Sequence, residues 1–168
     1  MKTLKTFLLA IIGIMLLSSC FGNVNPALLV QVGEKVPDFT LTTTDGVEYT
    51  PETLMNSGTP FAIMVTKPGC GHCKQRLLQV KNIAPENYPI LVLSIGEKEE
   101  TMAEFEEYGI TFPVVAPAPQ DLTRRFTQIS YPVLFIFNKN GVCQSRIRTE
   151  QVTDEDLIKY LNGTPFPE

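Results

Sequence analysis

Two cysteines three positions apart, Cys70-Gly71-His72-Cys73, constrain this chain more than any other feature. They follow the apolar run Phe61-Ala62-Ile63-Met64-Val65, which is bounded by Pro60, Pro68 and Gly69. A short apolar run between such punctuators predicts a strand buried on both faces. The residues after it predict a helix: Cys73, Leu77 and Val80 fall at i, i+4 and i+7, with Lys74, Arg76 and Lys81 off that stripe. Side chains at i and i+3 share a helix face with Cβ atoms roughly 5–6 Å apart. A disulfide needs Cα atoms about 4.4–6.8 Å apart, so such a pair can close and open without refolding the helix. The first thiol also stands where unpaired N–H groups and the helix dipole favour an anion. A redox pair at the start of a helix is the expectation.

The N-terminus bears on location. Lys2 and Lys5 precede an apolar run from Phe7 to Leu17 that has the length of a secretory h-region and is shorter than the roughly 20 residues of a spanning helix. It ends in Leu17-Ser18-Ser19-Cys20, which resembles the bacterial lipobox, in which cleavage precedes a cysteine that then carries lipid. The expected organisation is a signal peptide over 1–19, a lipid-anchored tether over 20–32 and one domain over 33–168. Setting aside Lys2 and Lys5 leaves 12 of the 14 basic side chains against 18 acidic ones, a net charge of −6 in place of −4. That balance excludes a basic nucleic-acid surface, and membrane contact would rest on acyl chains rather than charge.

Along the domain, Asp45-Gly46 between Phe39–Leu41 and Val47–Tyr49 predicts a hairpin. Thr50-Pro51 reads as a cap and first helical residue, with Gly58 closing that helix. Ile90 to Ile95 predicts a second buried strand, and Thr101 with Glu104 has the form of a capping box for a helix ended by Gly109. A short helix over 121–126 comes next. Val133–Phe137 and Val142–Arg146 around Asn140-Gly141 predict a second hairpin, and Thr153 caps a last helix carrying Leu157, Ile158 and Leu161. The order implies an α/β sandwich with mixed strand directions.

These motifs together resemble the thioredoxin superfamily, and within it the membrane-anchored, extracytoplasmic thiol–disulfide oxidoreductases of the TlpA/ResA kind. The likeness is carried by Gly33–Leu41, Glu107–Val115, the cysteine motif and Tyr131-Pro132. It implies a thioredoxin-like fold, a mixed central β-sheet flanked by helices, with an added N-terminal β-hairpin. It also implies an enzyme of dithiol/disulfide exchange that needs no cofactor and no metal. Carried over, Cys70 is the attacking thiolate, Cys73 resolves the mixed disulfide, and Pro132 is a cis-proline beside the sulfurs that lets Tyr131 pair with a substrate chain. Partners would be disulfide-containing or dithiol proteins of the cell envelope and a membrane electron donor or acceptor, with apocytochrome c among the open substrates.

The chain departs from the pattern at several points. Met64 stands where thioredoxins keep a buried acid, Arg76 where the TlpA/ResA group often has Glu, and Gly69 where Trp is customary. Lys67 and Arg76 could stabilise thiolate by charge, or be solvated surface residues. His72, the sole histidine, could do the same from between the thiols, which would favour oxidising potentials. Cys143 reads as a buried small hydrophobe. Two other classes compete. A peroxidase of related fold would need Pro-x-x-x-Thr-x-x-Cys, but Ile63 and Lys67 occupy those positions before Cys70. A metal-binding or redox-carrier module would need more ligands than one cysteine pair and His72. The lipobox reading predicts that Cys20→Ala persists as an unprocessed precursor or leaves the membrane fraction. Normal fractionation with an unchanged mature mass would contradict it.

Overall fold

A computed structural model describes residues 28–148 and 152–165. The expected signal peptide over 1–19 and the expected lipid-bearing Cys20 lie outside the described residues. A five-stranded sheet runs through the domain in the order β5-β4-β3-β6-β7, from β3 (Phe61–Thr66), β4 (Ile90–Ser94), β5 (Val114–Val115), β6 (Val133–Phe137) and β7 (Cys143–Ile147). β3, β4 and β5 are parallel, and β6 and β7 are antiparallel to their neighbours. A separate two-stranded hairpin, β1 (Leu41–Thr42) with β2 (Glu48–Tyr49), turns at Asp45-Gly46 where its sequence signal lies. The fold is thioredoxin-like, with the mixed sheet and added hairpin expected of it. The short strand β5 was not anticipated; two valines give no period to read.

The helices are α1 (Pro51–Met55), α2 (Gly71–Ile83), α3 (Lys98–Tyr108), α4 (Gln120–Phe126) and α5 (Asp154–Leu161). They explain why β3, β4 and β6 are buried throughout, Thr66 and Ser94 included: both faces of the sheet are covered. Side chains alternate across a strand, so β3 splits its run between two cores. Phe61, Ile63 and Val65 join Leu54 of α1, Phe126 of α4, and Phe135 and Phe137 of β6. Ala62 and Met64 join Leu77 and Val80 of α2, Phe105 of α3, and Leu157 and Leu161 of α5. Met64, at the position of the missing acid, is completely buried in this second core.

Register places the functional end of the sheet. Val65, next to last in β3, pairs with Val133, the first residue of β6. Pro132 therefore comes level with the end of β3, four residues before Cys70 on the chain. The Tyr131–Pro132 bond is cis, as the resemblance implies, and Ala116–Pro117 is a second cis bond.

Three local expectations are corrected. The domain begins before Gly33: Leu29 and Val30 are buried, and the Val30 amide donates to the Arg125 carbonyl at 2.7 Å, so the tether reading over 20–32 does not hold from Leu29 on. Thr101 is not the cap of α3, which starts three residues earlier with Glu97 as N-cap. The Thr101 hydroxyl is buried against Ser94 Oγ at 2.8 Å, and Glu99 and Glu100 complement the helix dipole in the first turn. Arg76 is not off the buried stripe of α2 but 6% exposed. Its guanidinium donates to Gln79 Oε1 at 2.7 Å and to the Arg148 carbonyl at 3.3 Å, while its methylenes pack.

Candidate active site

The cysteine pair stands where β3 passes into α2. Lys67, Pro68 and Gly69 make the turn, and Gly69 has φ +69°, a conformation glycine takes without steric penalty. Glycine, where the resemblance leads one to expect Trp, suits this left-handed turn. Pro68 is buried and lies against Gly96, so close that a Cβ on Gly96 would collide with the proline ring. The Gly69 amide donates to Glu104 Oε1 of α3 at 2.6 Å. Glu104 thus holds the active-site turn rather than capping its own helix. Thirty-five residues separate these partners, and no local pattern announces such a bond.

Cys70 is the N-cap of α2, with φ −97° and ψ 109°, and its sulfur accepts from the Cys73 amide at 3.2 Å. A sulfur in that position meets an N–H that the helix leaves unpaired and the positive end of its dipole. Cys70 and Cys73 are joined as a disulfide with Cα atoms 5.2 Å apart. Cys73 is 2% exposed, whereas Cys70 is half-buried at the surface. The two sulfurs are therefore unequal: one is reachable from solvent and the other is not. The Tyr131 carbonyl oxygen lies 3.9 Å from Cys70 Sγ, so the cis-proline loop faces the accessible sulfur. Pro132 is buried and Tyr131 half-buried, with burial pushing the Tyr131 phenol above its ordinary range.

The remaining candidates divide. His72 and Lys67 are exposed, His72 in the first turn of α2 between the cysteines and Lys67 in the turn before them. Arg76 is directed to Gln79 and the Arg148 carbonyl, and Gln79 in turn donates to Asp154 Oδ1 at 2.7 Å and the Val152 carbonyl at 2.9 Å. Its charge is spent tying α2 to the β7–α5 side. Lys74 bridges to α3, 3.8 Å from Glu107 and over the Tyr108 ring at 4.1 Å. Neither Met64 nor Arg76 can take a proton from Cys73, since one has no basic group and the other stays protonated.

A family model for the AhpC/TSA family matches residues 32–146. The chain belongs to the AhpC/TSA family. Thiol-disulfide oxidoreductase ResA of Geobacillus kaustophilus strain HTA426 is 27% identical over 161 residues, spanning 93% of this chain and 89% of ResA. Among solved structures, a thio-disulfide isomerase from Thermus thermophilus superposes with a TM-score of 0.64 at 23% identity, over 82% of this chain and 100% of its own. A secreted disulfide oxidoreductase of Mycobacterium tuberculosis does so with a TM-score of 0.61 at 16% identity, over 74% and 94%. Those two likenesses concern the fold. This AhpC/TSA member is a thiol–disulfide oxidoreductase with a thioredoxin-like architecture.

Cys143 stands apart from the site. It is 1% exposed at the start of β7, within the first core. Burial pushes its thiol up to about 12. The unfolded chain ionises this thiol near 9, so between these values the folded state holds a proton that the unfolded state has lost. Stability therefore falls as pH rises through that window. Wild type should lose more stability between pH 8 and pH 11 than Cys143→Ala does, measured by urea unfolding at each pH. Parallel losses would place the thiol outside the core.

Proposed function

We propose that the protein is a lipid-anchored thiol–disulfide oxidoreductase of the cell envelope that exchanges disulfides through Cys70 and Cys73. The observation that carries this reading is the inequality of the two sulfurs: Cys70 half-exposed at the helix cap and facing Tyr131, Cys73 buried one turn behind it. In the reducing direction, the Cys70 thiolate attacks one sulfur of a substrate disulfide. The substrate S–S bond breaks, one substrate thiolate leaves, and a mixed disulfide forms. Cys73, after losing its proton, attacks Cys70 Sγ and expels the second substrate thiolate. Two electrons pass to the substrate, and the protein is left as the Cys70–Cys73 disulfide. A dithiol donor reverses that last state, and run backwards the same steps oxidise a substrate.

Each remaining residue has a role in this reading. The Tyr131 backbone, set by cis-Pro132, offers an extended edge to the substrate chain beside the attacked sulfur. His72 and Lys67, exposed around Cys70, favour its thiolate by charge and hydrogen bonding. Arg76 is given a bracing part instead, its guanidinium donating to Gln79 Oε1 and the Arg148 carbonyl. Cys20 carries the lipid after removal of residues 1–19, which places the domain on the outer side of a bacterial membrane. The name of ResA, a thiol-disulfide oxidoreductase, supports disulfide exchange as the reaction. No helix among the described residues is long and apolar enough to cross a membrane.

Substitution separates the roles. Cys73→Ser should attack substrates without releasing them, accumulating mixed disulfides through Cys70 that dithiothreitol dissolves. Cys70→Ser should trap at least about tenfold less, because Cys73 is recessed and lacks the cap position. Non-reducing gels with mass spectrometry read both, and equal trapping by the two variants would overturn the assignment.

A further inference from the structure

One cavity lies directly beside the cis-proline loop and takes no part in the exchange steps. Its volume is about 310 Å³, and its walls include Leu29, Phe126, Ile129, Ser130, Arg146 and Arg148. That is at the small end of ligand sites, with room for a side chain or two rather than a cofactor. We propose that this cavity is a substrate subsite that receives an acidic side chain, with an apolar neighbour, from the protein whose disulfide Cys70 attacks. The inference rests on the oxidoreductase reading and adds the chemistry of the substrate to it.

Placement is the first argument. Ile129 is two residues from Tyr131, whose carbonyl is 3.9 Å from Cys70 Sγ. At about 3.3–3.6 Å per residue, that is roughly 7 Å of chain. A substrate strand lying along Tyr131 would bring side chains two or three positions from its own cysteine over the cavity. Charge is the second argument. Arg146 and Arg148 are two apart on an extended stretch, hence on one face. Among the described residues no ion pair involves either guanidinium. Two adjacent cations stand out on a chain whose net charge is −4, and a planar guanidinium binds carboxylate in bidentate fashion.

The apolar wall is the third. Ile129 is 75% exposed, the most exposed of the large hydrophobic side chains among the described residues. It is also held in place. The Thr127 hydroxyl donates to the Ser130 carbonyl at 2.7 Å, the Ser130 amide returns a bond to that hydroxyl at 3.3 Å, and Phe126 packs edge-on against Phe135. An exposed apolar group on a pinned loop beside a reactive sulfur loses little freedom when a partner covers it.

The test uses the mature reduced protein and two disulfide-linked peptides that differ only in Glu or Lys three residues from the cysteine. At low salt the Glu peptide should be reduced about 5-fold more efficiently, through KM, the scale of one or two partly exposed ion pairs. The preference should collapse in 0.5 M salt. Arg146→Glu with Arg148→Glu should invert the ratio, and Arg148→Gln alone should reduce it. A ratio is insensitive to the fraction of folded enzyme, and the salt series and the single variant decide the matter if the double variant does not fold. Equal rates for the two peptides, or a preference unmoved by salt and by Arg148→Gln, would overturn the subsite. Failure of wild type to reduce either peptide or the neutral 2-hydroxyethyl disulfide would instead overturn the oxidoreductase reading beneath it.

Discussion

The pairing of β3 with β6 is the constraint on which the site depends. Val65 opposite Val133 fixes where Pro132 falls relative to the turn at Lys67–Gly69, and so sets the Tyr131 carbonyl against Cys70. A slip of one residue would turn every β3 side chain to the opposite face, putting Met64 where Ile63 and Val65 belong. Two filled cores forbid that slip. The precision of the sulfur end is thus a consequence of apolar packing on both sides of one six-residue strand.

On that frame the chemistry needs few polar groups. The helix α2 supplies an anion-favouring cap for Cys70 and a buried seat for Cys73, using only its geometry. Side chains that could have supplied charge are engaged elsewhere: Arg76 braces the β7–α5 side, Lys74 braces α3, and Glu104 holds the Gly69 amide. What is left to favour a Cys70 thiolate is the cap itself and the exposed His72 and Lys67. Met64 and Arg76 leave the usual positions for a buried acid empty of one, so any proton path from Cys73 does not run through them.

What the sequence made legible is what local rules govern. The runs at Phe61, Ile90 and Val133, the turns at Asp45-Gly46 and Asn140-Gly141, the caps at Thr50 and Thr153, and the place of Cys70 and Cys73 all follow from period, turn chemistry or spacing. The cis bond before Pro132 came from family likeness, since no local rule requires it. Elsewhere tertiary contacts won. Arg76 has a surface-type side chain yet finds carbonyl and amide acceptors inside a helix seam. Thr101 and Glu104 match a cap in one dimension, but Ser94 claims the hydroxyl and Gly69 the carboxylate. Val30 reads as linker from Gly22, Asn23, Asn25 and Pro26 upstream of it, yet the first core receives its side chain.

In the function proposed for this protein, the cap position makes Cys70 a stabilised, attacking thiolate. The direct measurement is the rate of Cys70 alkylation in the reduced protein as a function of pH, with sites resolved by peptide mass. Cys70 should show an ionisation midpoint clearly below the roughly 8.5 of a free cysteine, with Cys73 reacting far more slowly throughout. A Cys70 midpoint at or above that value, or faster reaction at Cys73, would contradict it.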